Sequence, residues 1–340
     1  MSLNAMSTGA ESTAPPKPRI PLLSRLPHPE FVLRRGPYFD RPEISSVDLI
    51  RGCAHRCAFC PQRATPEHPG DDSIYLYEGL AQRLAIELAA RSEKPKAVIV
   101  SPSTDPFQPI PEIVAETLAI IRLLARHGVE SWLTTRGVIP PGVLDELARL
   151  REYVRLTVAL ASADPTIQNS IEPGAASIDD RLHLITQLRF NEIPSEAGID
   201  PLLPNVTDSK DQLQTLLELL AERGVTRIST SYLVLRPGVR EQLARQCSGQ
   251  SWLELLLSAY DDGPMLRDGN QASQFLHKSK RQRGYALLMS LAANFGIAVR
   301  LNRLDNPDFQ PGRPLARSSP RAASLQQRFR QSIRPDAIGA

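Results

Sequence analysis

From residue 44 to residue 235 the chain alternates between two hydrophobic rhythms. Short apolar runs bounded by polar, Gly and Pro residues predict strands at Ile44–Ile50, Ala97–Val100, Glu130–Thr135, Val154–Leu160, Ile193–Asp200 and Thr226–Leu235. Between them, apolar residues that recur every three or four positions predict helices at Ser73–Arg91, Pro111–His127, Pro141–Leu150, Ile178–Asn191 and Asp208–Arg223. Gly128 and Gly224 stand just past two of these helices as stop signals, and Ser177 with Asp180 three residues on forms a capping pair. Six strand–helix alternations imply parallel βαβ units and an α/β fold. Six units are too few for a closed eight-stranded barrel, which leaves an open, incomplete barrel or a doubly wound sheet. Both arrangements gather ligands at the C-terminal ends of the strands. There the sequence places RGCAHRCAFC, SPSTDP, TTRG, ASADP, DPLLPN and LRPG, all rich in polar and small residues.

The two ends of the chain lack this rhythm. Residues 1–44 carry prolines at 15, 16, 18, 21, 27, 29, 37 and 42, and no helical or strand period survives there. The expectation is an extended Pro/Arg-rich arm over 1–44, a barrel over 45–240, a C-terminal extension over 241–310 and an Arg-rich tail over 311–340. The extension should hold a helix at Ser279–Asn294 and a strand at Ile297–Leu301. Gly312–Pro335 has six arginines and no acid, which suits a solvated tail or an electrostatic contact with phosphates or an acidic partner. With 340 residues, 41% of them hydrophobic and 23% charged, the chain can bury a sizeable core. A net charge of +3 does not by itself argue for nucleic acid. No apolar run approaches the length of about 18 residues that spans a membrane, and MSLNAMSTGAESTAPPKP lacks the apolar core of a secretory signal. The expected location is the cytoplasm.

Three of the four cysteines, Cys53, Cys57 and Cys60, fall in the stretch RGCAHRCAFCP just after the first predicted strand. In a reducing compartment such clustering points to metal or redox chemistry rather than to disulfides. A structural zinc site wants four protein ligands, and His55 or His68 is at hand to complete one. A cubane iron–sulfur cluster is ordinarily held by four thiolates, so three would leave one iron open to a small molecule.

The spacing C-x3-C-x2-C after the first strand of a βα series, with Phe59 before the last cysteine, resembles the radical S-adenosylmethionine (SAM) superfamily. The resemblance implies a partial (β/α)6 barrel with an N-terminal arm and a C-terminal extension. It implies that Cys53, Cys57 and Cys60 hold a [4Fe-4S] cluster whose fourth iron is chelated by the amino and carboxylate groups of SAM. Reductive cleavage of the sulfonium then yields a 5′-deoxyadenosyl radical that takes hydrogen from a substrate. An electron donor such as a flavodoxin or ferredoxin is the implied partner.

By the same resemblance, Asp105 would accept from the ammonium of SAM with help from Ser103 or Thr104, although SPSTDP is also an ordinary helix-leading turn. Arg136 would hold the carboxylate of SAM with its guanidinium fork. Ser162 would reach the carboxylate or a ribose hydroxyl, or simply lead its helix. Glu172-Pro-Gly174 with Arg181, together with the T-D-P and T-T-R segments, narrows the resemblance to the spore photoproduct lyase-like branch, over Val47–Leu235. Glu172 and Arg181 are expected to pair and shape their loop. The hydrogen-donating thiol of that lyase has Ser103 as its counterpart, and a serine O–H bond is too strong for that task, so dimer repair is not expected. Nucleic acid enters as a substrate class only by family analogy. Cys247 is read as an ordinary cysteine, His55 as a solvated or backbone-bonded loop residue, and Tyr232, Arg236 and Tyr260 as pocket or core residues past the sixth strand. The alternatives are a zinc-stabilised, non-catalytic nucleic-acid-binding module and an iron–sulfur protein without turnover.

Overall fold

The structure is a computed structural model that describes residues 19–35, 42–268 and 271–309. The rest of the expected arm and the Arg-rich tail lie outside the described residues.

The six strands of the main sheet run parallel and in chain order: β1 (Ile44–Val47), β2 (Ala97–Val100), β3 (Glu130–Thr135), β4 (Val154–Ala159), β5 (Ser195–Leu202) and β6 (Arg227–Tyr232). β4 shows why they form. Val154, Leu156 and Val158 are buried while Arg155 and Thr157 are half-buried, the period-two pattern of a pleated strand. The helices are α1 (Leu80–Ala89), α2 (Pro111–Arg126), α3 (Pro141–Arg149), α4 (Pro165–Ile171), α5 (Ile178–Phe190) and α6 (Lys210–Glu222). In α6, Leu213, Leu216, Leu217 and Leu220 face the sheet, and Ser209 caps the helix by accepting from the amide of Gln212. Ser177 caps α5 in the same way through the amide of Asp180.

The sheet is an open barrel. β1 is bordered on its outer side by the short antiparallel strand Arg34–Arg35, and β6 by the parallel strand β7 (Ala298–Leu301). The helix that follows β6, α7 (Val239–Gln246), crosses back to the loop after β1 and touches it through side chains. Beyond it lie α8 (Leu253–Ser258), a hairpin of Met265–Asp268 with Gln271–Gln274, and α9 (Lys278–Asn294).

Three expectations change. Leu22–Pro27 is a strand, paired in parallel with Ser73–Glu78 in a small sheet that also holds Ile50–Arg51. Prolines are compatible with this because Pro21 and Pro27 sit at the ends of an edge strand, where no ladder donor is lost. Ser73–Arg91 is not one helix. SIYLYE is β-branched and aromatic, and Gly79, at φ 63°, separates that strand from α1. The predicted strand Ile44–Ile50 likewise divides, with β1 in the main sheet and Ile50 in the small one.

The segment after β7 is anchored by one buried side chain. Arg281 of α9 is 1% exposed and donates to the Leu276 carbonyl, to Asn306 Oδ1 at 2.8 Å and to both carboxylate oxygens of Asp308 at 2.8 and 2.7 Å. Arg281→Met should strip the Asp308 carboxylate of its guanidinium and leave Asn306 Oδ1 with the Tyr285 hydroxyl alone. The expected loss is about 2–4 kcal/mol in urea unfolding, with faster proteolysis after residue 300. Unchanged stability would show that the segment is held by other contacts.

Candidate active site at the barrel mouth

The loop from Cys53 to Cys60 leaves the small sheet and crosses the C-terminal end of the barrel. Its backbone is satisfied by side chains from distant elements. Gln108, on the loop after β2, accepts from the amide of Ala54 at 2.6 Å, and the carbonyl of Ile171 accepts from the amide of Ala58 at 2.7 Å. From the other side, the Gln242 side-chain amide of α7 donates to the carbonyls of Ala58 at 2.8 Å and Cys60 at 3.0 Å. Gln246, one helical turn on, donates to the carbonyl of Arg56 at 2.9 Å. Arg63, held by both oxygens of Asp71, donates to the carbonyls of Arg56 and Cys57. Polar loop groups thus stay paired where water is largely excluded. These clamping glutamines carried no signal in the sequence, because an i, i+4 glutamine pair on a helix is unremarkable until its tertiary partner is known.

Cys57 is buried, and Cys53 and Cys60 are half-buried. Burial pushes the Cys53 thiol up to about 12, with the nearby Asp105 charge adding to it, and pushes Cys57 well above its ordinary value. Sulfurs so placed become thiolates only against a compensating positive centre. His55 is not solvated, contrary to expectation. It is 1% exposed, with Nδ1 3.3 Å from Asp105 Oδ2. His68 stands apart and accepts from the amide of Gly70 at 3.1 Å.

Asp105 is a hub. Oδ1 accepts from the amide of Phe107 at 2.8 Å and the hydroxyl of Thr135 at 2.9 Å, and Oδ2 accepts from the amide of Arg136 at 2.6 Å beside His55. Burial opposes its charge, but the His55 ring and the two amides outweigh that and hold the carboxyl below its ordinary value. Both oxygens are therefore occupied in tying the loop after β2 to the end of β3 and to the cysteine loop. Around it, Ser103 is held through its amide and hydroxyl by Asp48, at 3.2 and 3.3 Å. The hydroxyls of Thr104 and Ser101 are buried and find no hydrogen-bond partner among the described residues. Ser101 also adopts φ 55°, which an L side chain rarely takes. The Oγ of Ser162 accepts from the amide of Asp164 at 2.9 Å, the turn that leads α4.

Arg136 lies over the Phe59 ring, 5.2 Å from its centroid. Its Nε donates to Glu172 Oε1 at 2.8 Å and its Nη2 to the carbonyl of Asp200 at 2.7 Å, while Nη1 has no acceptor among the described residues. Glu172 is fully buried and shares its second oxygen with Arg181 Nη2 at 2.7 Å, so the expected pair is part of a triad. Burial opposes the Glu172 charge, and the two guanidinium groups outweigh it and hold the carboxyl below its ordinary value. The following glycine is dictated by contact. A Cβ on Gly174 would stand 2.0 Å from the Ala54 carbonyl oxygen, and its amide donates to the His55 carbonyl at 3.0 Å.

On the far side of the mouth, Asp200 Oδ1 accepts from the Ser231 hydroxyl at 2.7 Å. Burial, aided by the Asp305 charge, pushes its carboxyl up to about 6. Arg236 donates to Asp305 Oδ1 at 2.8 Å. Tyr232 and Tyr260 belong to the core, their hydroxyls donating to Asp208 and to the Leu233 carbonyl. Cys247 is a buried cysteine, 1% exposed, with Sγ 3.7 Å from the Ser170 carbonyl oxygen.

Three soft thiol donors on one clamped loop fit an iron–sulfur cluster. Two unpartnered buried hydroxyls and an open guanidinium edge at the same mouth fit a polar cosubstrate. Among the described residues no three His, Cys, Asp or Glu side chains, the three cysteines included, gather for a single ion.

Comparison with known proteins agrees. Residues 47–220, just over half the chain, match the family model of the Radical SAM superfamily. The chain belongs to that superfamily. It is 31% identical over 204 residues to the uncharacterized protein Rv2578c of Mycobacterium tuberculosis (strain ATCC 25618 / H37Rv), a stretch that is 57% of this chain and 60% of that protein. It is 23% identical over 182 residues to the radical SAM Nalpha-GlyT isomerase of Pseudomonas phage M6, covering 53% of this chain and 37% of the isomerase. Its fold is similar to that of spore photoproduct lyase complexed with dinucleoside spore photoproduct, with a TM-score of 0.67, 13% identity and 82% of each chain covered.

A raised carboxyl makes the folded state bind more protons than the unfolded chain between about pH 4 and 6, so Asp200 subtracts stability as pH rises through that window. Asp200→Asn should match the parent near pH 3.5 and exceed it at pH 8, by on the order of 1 kcal/mol. Parallel stability–pH curves would refute the assignment.

Proposed function

We propose that this protein reductively cleaves SAM at a [4Fe-4S] cluster held by Cys53, Cys57 and Cys60, and that a substrate at the barrel mouth then gives up hydrogen. One observation carries the reading: three cysteines on one clamped loop share the barrel end with unpartnered buried hydroxyls and an arginine whose Nη1 has no acceptor among the described residues, in a chain of the Radical SAM superfamily. The cluster, when bound, supplies the low-potential electron that a flavodoxin- or ferredoxin-like donor delivers to it.

The chain's own residues bind and orient. Thr104 and Ser101 offer hydroxyl oxygens to the ammonium of SAM, with Ser103 fixed beside them by Asp48. Arg136 offers Nη1 to the carboxylate while its other two donors are held elsewhere. Ser162 retains its O–H as a donor toward the carboxylate or ribose. Asp105, expected at the ammonium, acts instead through the strand ends it joins, because its oxygens are occupied.

We place the chain in the spore photoproduct lyase-like branch and in the cytoplasm. Among the described residues no helix is long and apolar enough to cross a membrane. Dimer repair is not proposed, because SPSTDP holds no thiol and Cys247 is buried. A nucleotide-bearing substrate is the class we favour, on the likeness to a lyase complexed with a dinucleoside and on the six arginines of Gly312–Pro335.

Anaerobic reconstitution should give a brown protein with about four irons per chain that yields 5′-deoxyadenosine from SAM on reduction. Cys57→Ala should lose the iron and keep its far-ultraviolet circular dichroism. A colourless wild type, or an iron-loaded one that leaves SAM intact, would sink the reading. Arg136→Ala should weaken SAM binding by about 1.5–3 kcal/mol in calorimetry. Unchanged affinity would remove Arg136 from the site.

A further inference from the structure

The triad of Arg136, Glu172 and Arg181 does more than shape a loop. Arg181 and Glu172 are both 0% exposed, and Arg136 is largely covered. Arg181 spends its remaining donors on the carbonyls of Ala159 at 2.7 Å and Ala176 at 3.1 Å, so it belongs to the floor of the barrel end and cannot swing away. The segment bearing Glu172 is interlocked with the cysteine loop at two points, Ile171 to Ala58 and Gly174 to His55. It is tied to the end of β3 at a third, where the amide of Ala176 donates to the carbonyl of Arg136 at 2.9 Å. Arg136 in turn stacks on Phe59, which lies between Cys57 and Cys60. Two positive charges and one negative charge are thus fixed beside the cysteine loop with little water to screen them.

We infer that Glu172 is a positioning residue that keeps the cluster strongly reducing, by offsetting the field of Arg136 and Arg181 at the cysteine loop. This rests on the cluster assignment above. The reasoning is electrostatic. An iron–sulfur centre bound by thiolates becomes more negative on reduction, so each unopposed positive charge nearby favours the reduced form and raises the potential. The site requires Arg136 for its open Nη1 edge, and Arg181 to hold the loop. Without a buried carboxylate both charges would act at full strength and make the reduced centre a weaker donor. Glu172 leaves the triad with a net charge of one instead of two. It also fixes Nε of Arg136 and so limits how the guanidinium can turn.

The test uses the full-length, reconstituted protein and reads the midpoint potential of the cluster by electron paramagnetic resonance-monitored titration without SAM. Glu172→Gln removes the charge and keeps an acceptor for one arginine, turning a donor NH2 toward the other. The potential should move upward by a shift on the order of tenfold in the ratio of reduced to oxidised centre, about 59 mV for a one-electron couple. Arg181→Gln should move it the other way, and Glu172→Gln with Arg181→Gln should return it toward the parent. Iron content and thermal melting report whether each variant assembles, and the opposite-sign variant decides the matter if one does not. Potentials that stay together in assembled variants, or that shift in one direction for both charge changes, overturn the inference. If the parent itself binds no [4Fe-4S] cluster, the cluster assignment fails instead.

Discussion

Everything at the barrel mouth depends on how a short loop can hold one buried and two half-buried cysteines without leaving its own peptide groups unpaired. Thiols in such surroundings resist ionisation, as the upward displacement of Cys53 and Cys57 shows. An unpaired buried carbonyl costs about as much as a lost hydrogen bond. The fold meets the second demand with side chains: Gln108 from the loop after β2, Arg63 from just downstream, and Gln242 and Gln246 from α7. It leaves the first demand to be met by whatever the sulfurs bind.

The same logic of shared partners recurs through the site. Asp105 joins the loop after β2, the end of β3 and the cysteine loop through one carboxylate, and Glu172 joins the end of β3 to the start of α5 through another. Each is buried and paired with more than one donor, the condition under which a buried charge is tolerated. The mouth is therefore rigid near the cysteines. Its far side is formed by Asp200, Arg236 and Asp305, which come from β5, the loop after β6 and the segment anchored by Arg281.

Much of the architecture was legible because it is periodic. The six parallel strands and the helices over 111–126, 141–149, 178–190 and 210–222 follow from local alternation and from stop and cap residues that act within a few positions. What failed was non-local or short. Leu22–Pro27 is a strand only because Ser73–Glu78 lies beside it, and α4, α7 and α8 are too short for a helical period to stand out. The cysteines announced themselves by spacing. The pairing of His55 with Asp105 did not, since a histidine in a polar loop looks solvated until the aspartate beside it arrives from fifty residues on. The glutamine clasp was invisible for the same reason, because its energetics reside in carbonyls that a sequence does not distinguish from any others.

That clasp has a consequence for synthesis. Gln242 meets the carbonyls of Ala58 and Cys60 across sequence separations of 184 and 182. While the ribosome is still translating the barrel, the cysteine segment has already emerged, yet the donors that fix its backbone do not exist. Its backbone partners thus arrive only with α7, after all six parallel strands have been made.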